Sequence, residues 1–142
     1  MIVCVNTSFL IAAYVLDTHS PFVVKMLKIR PGIFLTPFSR SEAANALYRQ
    51  AFIGKLTLPE VSKAWQTFEA DCAAGVWQIV TLPDSVWETC INLARRFGPE
   101  LGVRTLDSLH VACALELKAD QFWTFDERQA RLAEAVGLAT SA

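Results

Sequence analysis

Four apolar runs of strand length stand far apart in this chain: "IVCV" at 2–5, "IFLT" at 33–36, "WQIVTL" at 77–82 and "QFWTF" at 121–125. They are rich in Val, Ile, Phe and Trp and continuously apolar more than alternating, as expected for parallel strands covered on both faces. The stretches between them repeat apolar residues every three or four positions, the period of a helix. Strands joined by helices imply a three-layer α/β/α domain on a short parallel sheet of four or five strands.

The helical stretches carry their own punctuation. "SRSEAANALYRQAFI" opens with Ser39 three residues before Glu42, a capping-box spacing. "LPEVSKAWQTFEADCAAG" has Pro59 near its start and Gly75 just past its end. "PDSVWETCINLARRFGP" starts with Asp84 and Ser85 as candidate caps and is expected to stop at Gly98-Pro99. "LDSLHVACALELKA" reads as a largely apolar helix packed on the sheet, and "DERQARLAEAVG" as one capped by Asp126 with Gln129 three residues on. With 142 residues, 53% of them hydrophobic, one core and a single domain over 1–142 are expected. No run reaches the length of a membrane span and no signal peptide is visible, so a cytoplasmic protein without membrane association is expected.

Cys4, Cys72, Cys90 and Cys113 lack Cys-x-x-Cys spacing and sit mostly among apolar neighbours, which argues for buried thiols over a zinc ribbon or a disulfide framework. The net charge of −1 hides a split: residues 1–55 carry six bases against two acids, and the remainder carries seven against twelve. A basic first third could hold phosphates while acids elsewhere hold metal.

Three polar residues follow strands and begin helices: Asn6, Glu42 and Asp126. Asp107 opens the apolar helix after "GVRT". The carboxyl ends of parallel strands share one edge, so these four are expected to converge there. Hard oxygens clustered in that way suit one or two Mg²⁺ or Mn²⁺ ions and metal-assisted phosphodiester hydrolysis. Each residue also has a plain structural reading: Asn6 and Asp126 as helix caps, Glu42 in a capping box, and Asp107 as an acid in a first helical turn.

Taken together, the four segments resemble the PIN domain, and within it the VapC-type toxin ribonucleases of toxin–antitoxin pairs. "VNTSFLIAAY" is similar to the family's opening strand and helix, with Asn6 where an Asp is expected. "SRSEAANAL" is similar to the second motif, with Glu42 as its acid. "RTLDSLHVACALELKAD" resembles the third and assigns Asp107. "FWTFDERQARLAEAVGL" resembles the closing motif and assigns Asp126 and Thr124. All four occur in family order over nearly the whole chain.

The resemblance implies a Mg²⁺- or Mn²⁺-dependent endoribonuclease acting on structured RNA, often a homodimer, silenced by a cognate antitoxin. It implies Asp107 and position 6 as principal metal ligands, with Glu42 and Asp126 completing an acidic pocket. Thr124 and Ser8 would orient a water or a carboxylate, although hydroxyls at such places commonly bond nearby backbone. Arg40 and Arg104 flank acidic positions and are phosphate candidates or partners of those acids; Arg49 shares a helix face with Glu42 and Asn45 that reads equally as a solvated stripe. His110 reads as a packed residue, and His19 has no evident role.

Asn6 keeps a carbonyl ligand but removes a charge from a site that depends on charge. Impaired catalysis is therefore expected in this chain, whether Asp was replaced so that a toxic nuclease could be produced or the natural protein is degenerate. The alternative is a catalytically degenerate PIN-like module that binds RNA or a partner protein without cleavage. An α/β domain binding a nucleotide at the same edge is disfavoured by the lack of a Gly-rich loop after the first strand.

Overall fold

The computed structural model describes residues 1–140. Its chain divides into two compact units, one made of residues 1–6 with the chain from Thr81 onward, the other of Thr7–Val80.

In the first unit, β1 (Ile2–Val5), β4 (Gln121–Trp123) and β5 (Ala139–Thr140) accompany the helices α5 (Val86–Leu101), α6 (Thr105–Glu116) and α7 (Glu127–Ala135). Both pairings are parallel, with Val5 opposite Trp123 and Phe122 opposite Thr140. Helix α6 is buried without interruption from Asp107 to Ala114, as its apolar sequence on every face requires. It packs along α5 and against β1 and β4. Trp123 is wholly buried, and its indole N–H donates to Gln121 Oε1 at 2.7 Å, so its large apolar body enters the core without an orphaned donor.

The second unit contains α1 (Thr7–Ala12), α2 (Ser20–Leu27), β2 (Gly32–Leu35), α3 (Pro37–Phe52), α4 (Leu58–Ala73) and β3 (Gln78–Ile79). β2 and β3 are parallel, with Leu35 opposite Ile79. Phe68 is fully buried, edge-on to Tyr14 at 5.8 Å between ring centroids and 5.2 Å from Trp65. Tyr14 donates its hydroxyl to Asp71 at 2.6 Å and accepts from the indole of Trp77.

Several elements differ from the sequence reading. Ser39 does not cap α3: Thr36 does, accepting the Ser39 N–H at 3.1 Å, and Pro37 fills the first helical position, where no donor is missed. Conversion of Thr36 to a cap ends β2 at Leu35. The run 77–82 consequently pairs only at Gln78 and Ile79, with one further bond from Val80 N–H to Leu35 O, while Trp77 turns into the core.

Helix α5 does not stop at Gly98-Pro99 but continues to Leu101. Pro99 forgoes only its own N–H bond, and Gly102, at φ 61°, supplies the left-handed residue that ends the helix. Ser85 stands at the start of α5 without capping it, because its hydroxyl donates to Glu116 at 2.9 Å. β4 ends at Trp123 rather than Phe125, and α2, begun by Ser20-Pro21 just after His19, departs from the loop-like reading of "LDTHSP". Among the described residues, no helix is long and apolar enough to cross a membrane.

Candidate active site

In the first unit, the ends of β1 and β4 are locked level. The Asn6 N–H donates to Trp123 O at 3.1 Å, carrying the ladder one residue past β1 and setting Asn6 beside the position of Thr124. Both residues are buried, Asn6 at 4% exposure. Thr124 Oγ1 accepts the N–H of Asp126 at 2.9 Å, so the turn out of β4 fixes the acid that caps α7. Asp126 Oδ1 then accepts the N–H of Gln129 at 3.0 Å, the cap expected from the sequence.

Asp107 lies in the first turn of α6 at 4% exposure. A carboxylate so buried requires donors, and it has two. Its Oδ2 accepts the backbone N–H of Arg104 at 2.9 Å, and its Oδ1 accepts from Gln129 Nε2 at 3.3 Å. The guanidinium of Arg104 adds a loose ion pair at 4.0 Å, with 74% of that side chain exposed.

Gln129 joins the site although its sequence position marks it only as the residue three after Asp126. At that spacing a Gln usually reaches back to the N–H of the capping residue. Here Thr124 already occupies that N–H, which releases the Gln129 amide to turn inward to Asp107. The signal in the sequence is a polar side chain on the face of α7 that also carries buried Leu132 and Ala133.

In the second unit, Thr7 Oγ1 donates to Glu42 Oε1 at 2.7 Å, so the acid of α3 is held by the residue that follows Asn6 in sequence. Ser8 is half-buried in α1. Arg40 is engaged on α4: its Nη2 meets Glu69 Oε1 at 2.6 Å and its guanidinium lies 5.1 Å from the Trp65 ring centroid. Arg49 and Asn45 are exposed on α3, as a solvated stripe would be. His110 is buried in α6 at 5% exposure.

Beside Asp126, a cavity of about 360 Å³ is lined by Leu101, Arg104, Asp126, Glu127, Arg128 and Arg131. Three arginines and two acids thus share its lining. The ion pair from Arg131 to Glu127 is long at 3.8 Å and exposed. Among the described residues, no three His, Cys, Asp or Glu side chains are grouped to hold a metal ion.

No disulfide joins the four cysteines; Cys4 and Cys113 are buried as expected, whereas Cys72 and Cys90 are only half-buried. Burial pushes Cys4 up to about 12, assisted by nearby Cys113, and burial likewise pushes Cys113 up to about 12.

Comparison with known proteins identifies the fold. The family model described as the PIN domain matches residues 3–135. VapC20 of Mycobacterium tuberculosis, described as a sarcin-ricin loop cleaving toxin, superposes with a TM-score of 0.71 at 15% identity, covering 96% of each chain. The PAE2754 protein of Pyrobaculum aerophilum gives 0.66 at 18% identity over 97% of this chain and 82% of its own. FitAcB of Neisseria gonorrhoeae gives 0.64 at 13% identity over 97% and 95%. No curated protein matches significantly.

Proposed function

The chain belongs to the PIN-domain family, with its three-layer α/β/α fold, and from that membership we propose that it is a toxin-type endoribonuclease weakened at its own site. The substrate class is structured RNA, a reading supported by the fold likeness to a sarcin-ricin loop cleaving toxin. The observation that carries the proposal is the buried Asp107 carboxylate, tied through Gln129 to Asp126.

The oxygen donors suit Mg²⁺ or Mn²⁺ in kind, since carboxylate and amide oxygens are hard ligands. Asp107, Asp126 and Asn6 would hold such an ion, with Glu42 as the acid assigned by the family's second motif. When bound, a divalent cation would neutralise phosphate charge and acidify a coordinated water. The protein's own contribution is to fix the acids: Arg104 and Gln129 hold Asp107, Thr124 holds the turn into Asp126, and Thr7 holds Glu42. The cavity with Arg104, Arg128 and Arg131 would receive the RNA backbone beside that centre. Asn6 leaves the set one negative charge short, and catalysis is impaired accordingly.

The protein is proposed to act as one domain over its 142 residues, in the cytoplasm, with a cognate antitoxin and a second copy of itself as partners. Exposed Trp87 and Ile91, one turn apart on α5, and Phe52, Ile53 and Leu58 in the second unit offer apolar area for such contacts. The toxin reading is tested by induced expression in a bacterial host. The Asn6→Asp protein should arrest growth, and Asn6→Asp with Asp107→Ala should not; growth unaffected by Asn6→Asp overturns it.

One observation favours a second reading, a PIN-like module that binds RNA or a partner without cleavage. The described acids do not form a group of three suited to a metal, and Asn6 is an amide. Under that reading, restoring Asp at position 6 yields no metal-dependent cleavage.

A further inference from the structure

Among the described residues, two buried side-chain polar atoms have no hydrogen-bond partner: Ser108 Oγ and Gln129 Oε1. Both belong to residues adjoining Asp107. Ser108 follows it in the chain, and Gln129 donates to its Oδ1. Gln129 is only 7% exposed, so its amide is withdrawn from water while half of its bonding capacity stays unused. Burying an amide in that condition costs stability, and a Leu or Met of similar bulk on this face of α7 would avoid the cost. A purely packing role therefore explains the residue poorly.

The orientation of the amide follows from chemistry. With nitrogen and oxygen exchanged, Oε1 would face the Asp107 carboxylate, acceptor against acceptor, so Nε2 must be the atom at 3.3 Å. That bond and the Arg104 N–H, at 2.9 Å on the other oxygen, set the carboxylate plane between them. Gln129 is itself anchored, because its backbone N–H is bonded to Asp126. A single residue thus ties Asp107 and Asp126 to one turn of α7.

We propose that Gln129 is a positioning residue that fixes how Asp107 presents its carboxylate to a divalent cation. The inference rests on the metal-dependent reading above, and it assigns to α7 a part in metal affinity beyond capping. Each oxygen of a carboxylate has more than one lone pair, so a protein donor orients Asp107 without displacing a metal.

The test is Mn²⁺ affinity, read from the free-ion signal in electron paramagnetic resonance. It uses the full-length Asn6→Asp protein and its Gln129→Leu and Gln129→Met derivatives, with folding followed separately by circular dichroism in metal-free buffer. Gln129→Leu should weaken Mn²⁺ binding by about 10–100-fold. Gln129→Met, which keeps the bulk but has no N–H to donate to Asp107, should weaken it to a similar extent. A structural role alone would move the melting curve without changing the affinity of the folded protein.

The inference is overturned if either variant folds and binds Mn²⁺ within about threefold of its parent. Should Gln129→Leu not fold, Gln129→Met decides alone. RNA cleavage by the parent is scored apart. A parent that binds Mn²⁺ with the Gln129 dependence but cuts no RNA overturns the nuclease reading only, and a parent that binds no Mn²⁺ overturns both.

Discussion

Thr7 donates its hydroxyl hydrogen to Oε1 of Glu42 at 2.7 Å, across 35 positions of sequence. The motifs single out Ser8 and Thr124 as orienting hydroxyls and pass over Thr7. In the Asn6→Asp background, Thr7→Val should lower the single-turnover cleavage rate by roughly tenfold, the low end of what loss of an orienting partner costs. Thr7→Ser should retain most of it. Equal rates for Thr7→Val and its parent would remove Thr7 from the site.

The cavity containing Arg128 and Arg131 predicts an electrostatic contribution to RNA binding. The unmodified Asn6 protein is convenient for this titration because it should bind without cutting. Replacing Arg131 by Ala should weaken binding most at low salt. The slope of log affinity against log salt should fall by about 0.7 for each phosphate of a single strand that the protein no longer neutralises. An unchanged slope in the Arg128→Ala/Arg131→Ala double variant would place the RNA elsewhere.

Cys4 and Cys113 predict instability at alkaline pH. Each thiol is pushed up to about 12 in the folded protein from an ordinary 9.0, so unfolded chains lose these protons first. Stability from keeping them neutral is complete below the ordinary value and is lost as pH climbs toward the folded value. Tyr14, raised by burial and by its bond to Asp71, acts with the same sign. Thermal midpoints should fall between roughly pH 9 and 12, less steeply for Cys4→Ala/Cys113→Ala. Parallel curves for the two proteins would assign the loss to other groups.

Phe68 is fully buried between Tyr14 and Trp65. Truncation to Ala should destabilise the protein by about 3–5 kcal/mol in a denaturant titration, the range for an aromatic removed from a packed core. A loss under about 1 kcal/mol would mean that its neighbours collapse into the space.

How legible these features are depends on how local their causes are. β1, the apolar helix α6 and the Asp126 cap are visible in the sequence because a few adjacent residues determine them. The start of α3 is ambiguous there, since Ser39 with Glu42 imitates a capping box while Thr36 with Pro37 makes the true cap. Shortening of β3 follows from that cap, because β2 ends where Thr36 turns away. The Gln129 bond to Asp107 is not legible at all: it depends on α7 packing against α6 and on Thr124 first occupying the Asp126 N–H.

We propose that position 6 alone withholds catalysis from the nuclease site. The most direct test is single-turnover cleavage of a structured RNA, with and without Mn²⁺, by the Asn6 protein, Asn6→Asp, and Asn6→Asp with Asp107→Ala. Mn²⁺-dependent cleavage by Asn6→Asp should exceed that by the other two at least about 100-fold, the upper end of what loss of an outer-shell partner alone costs. Three indistinguishable proteins, all inert or all active, would contradict it.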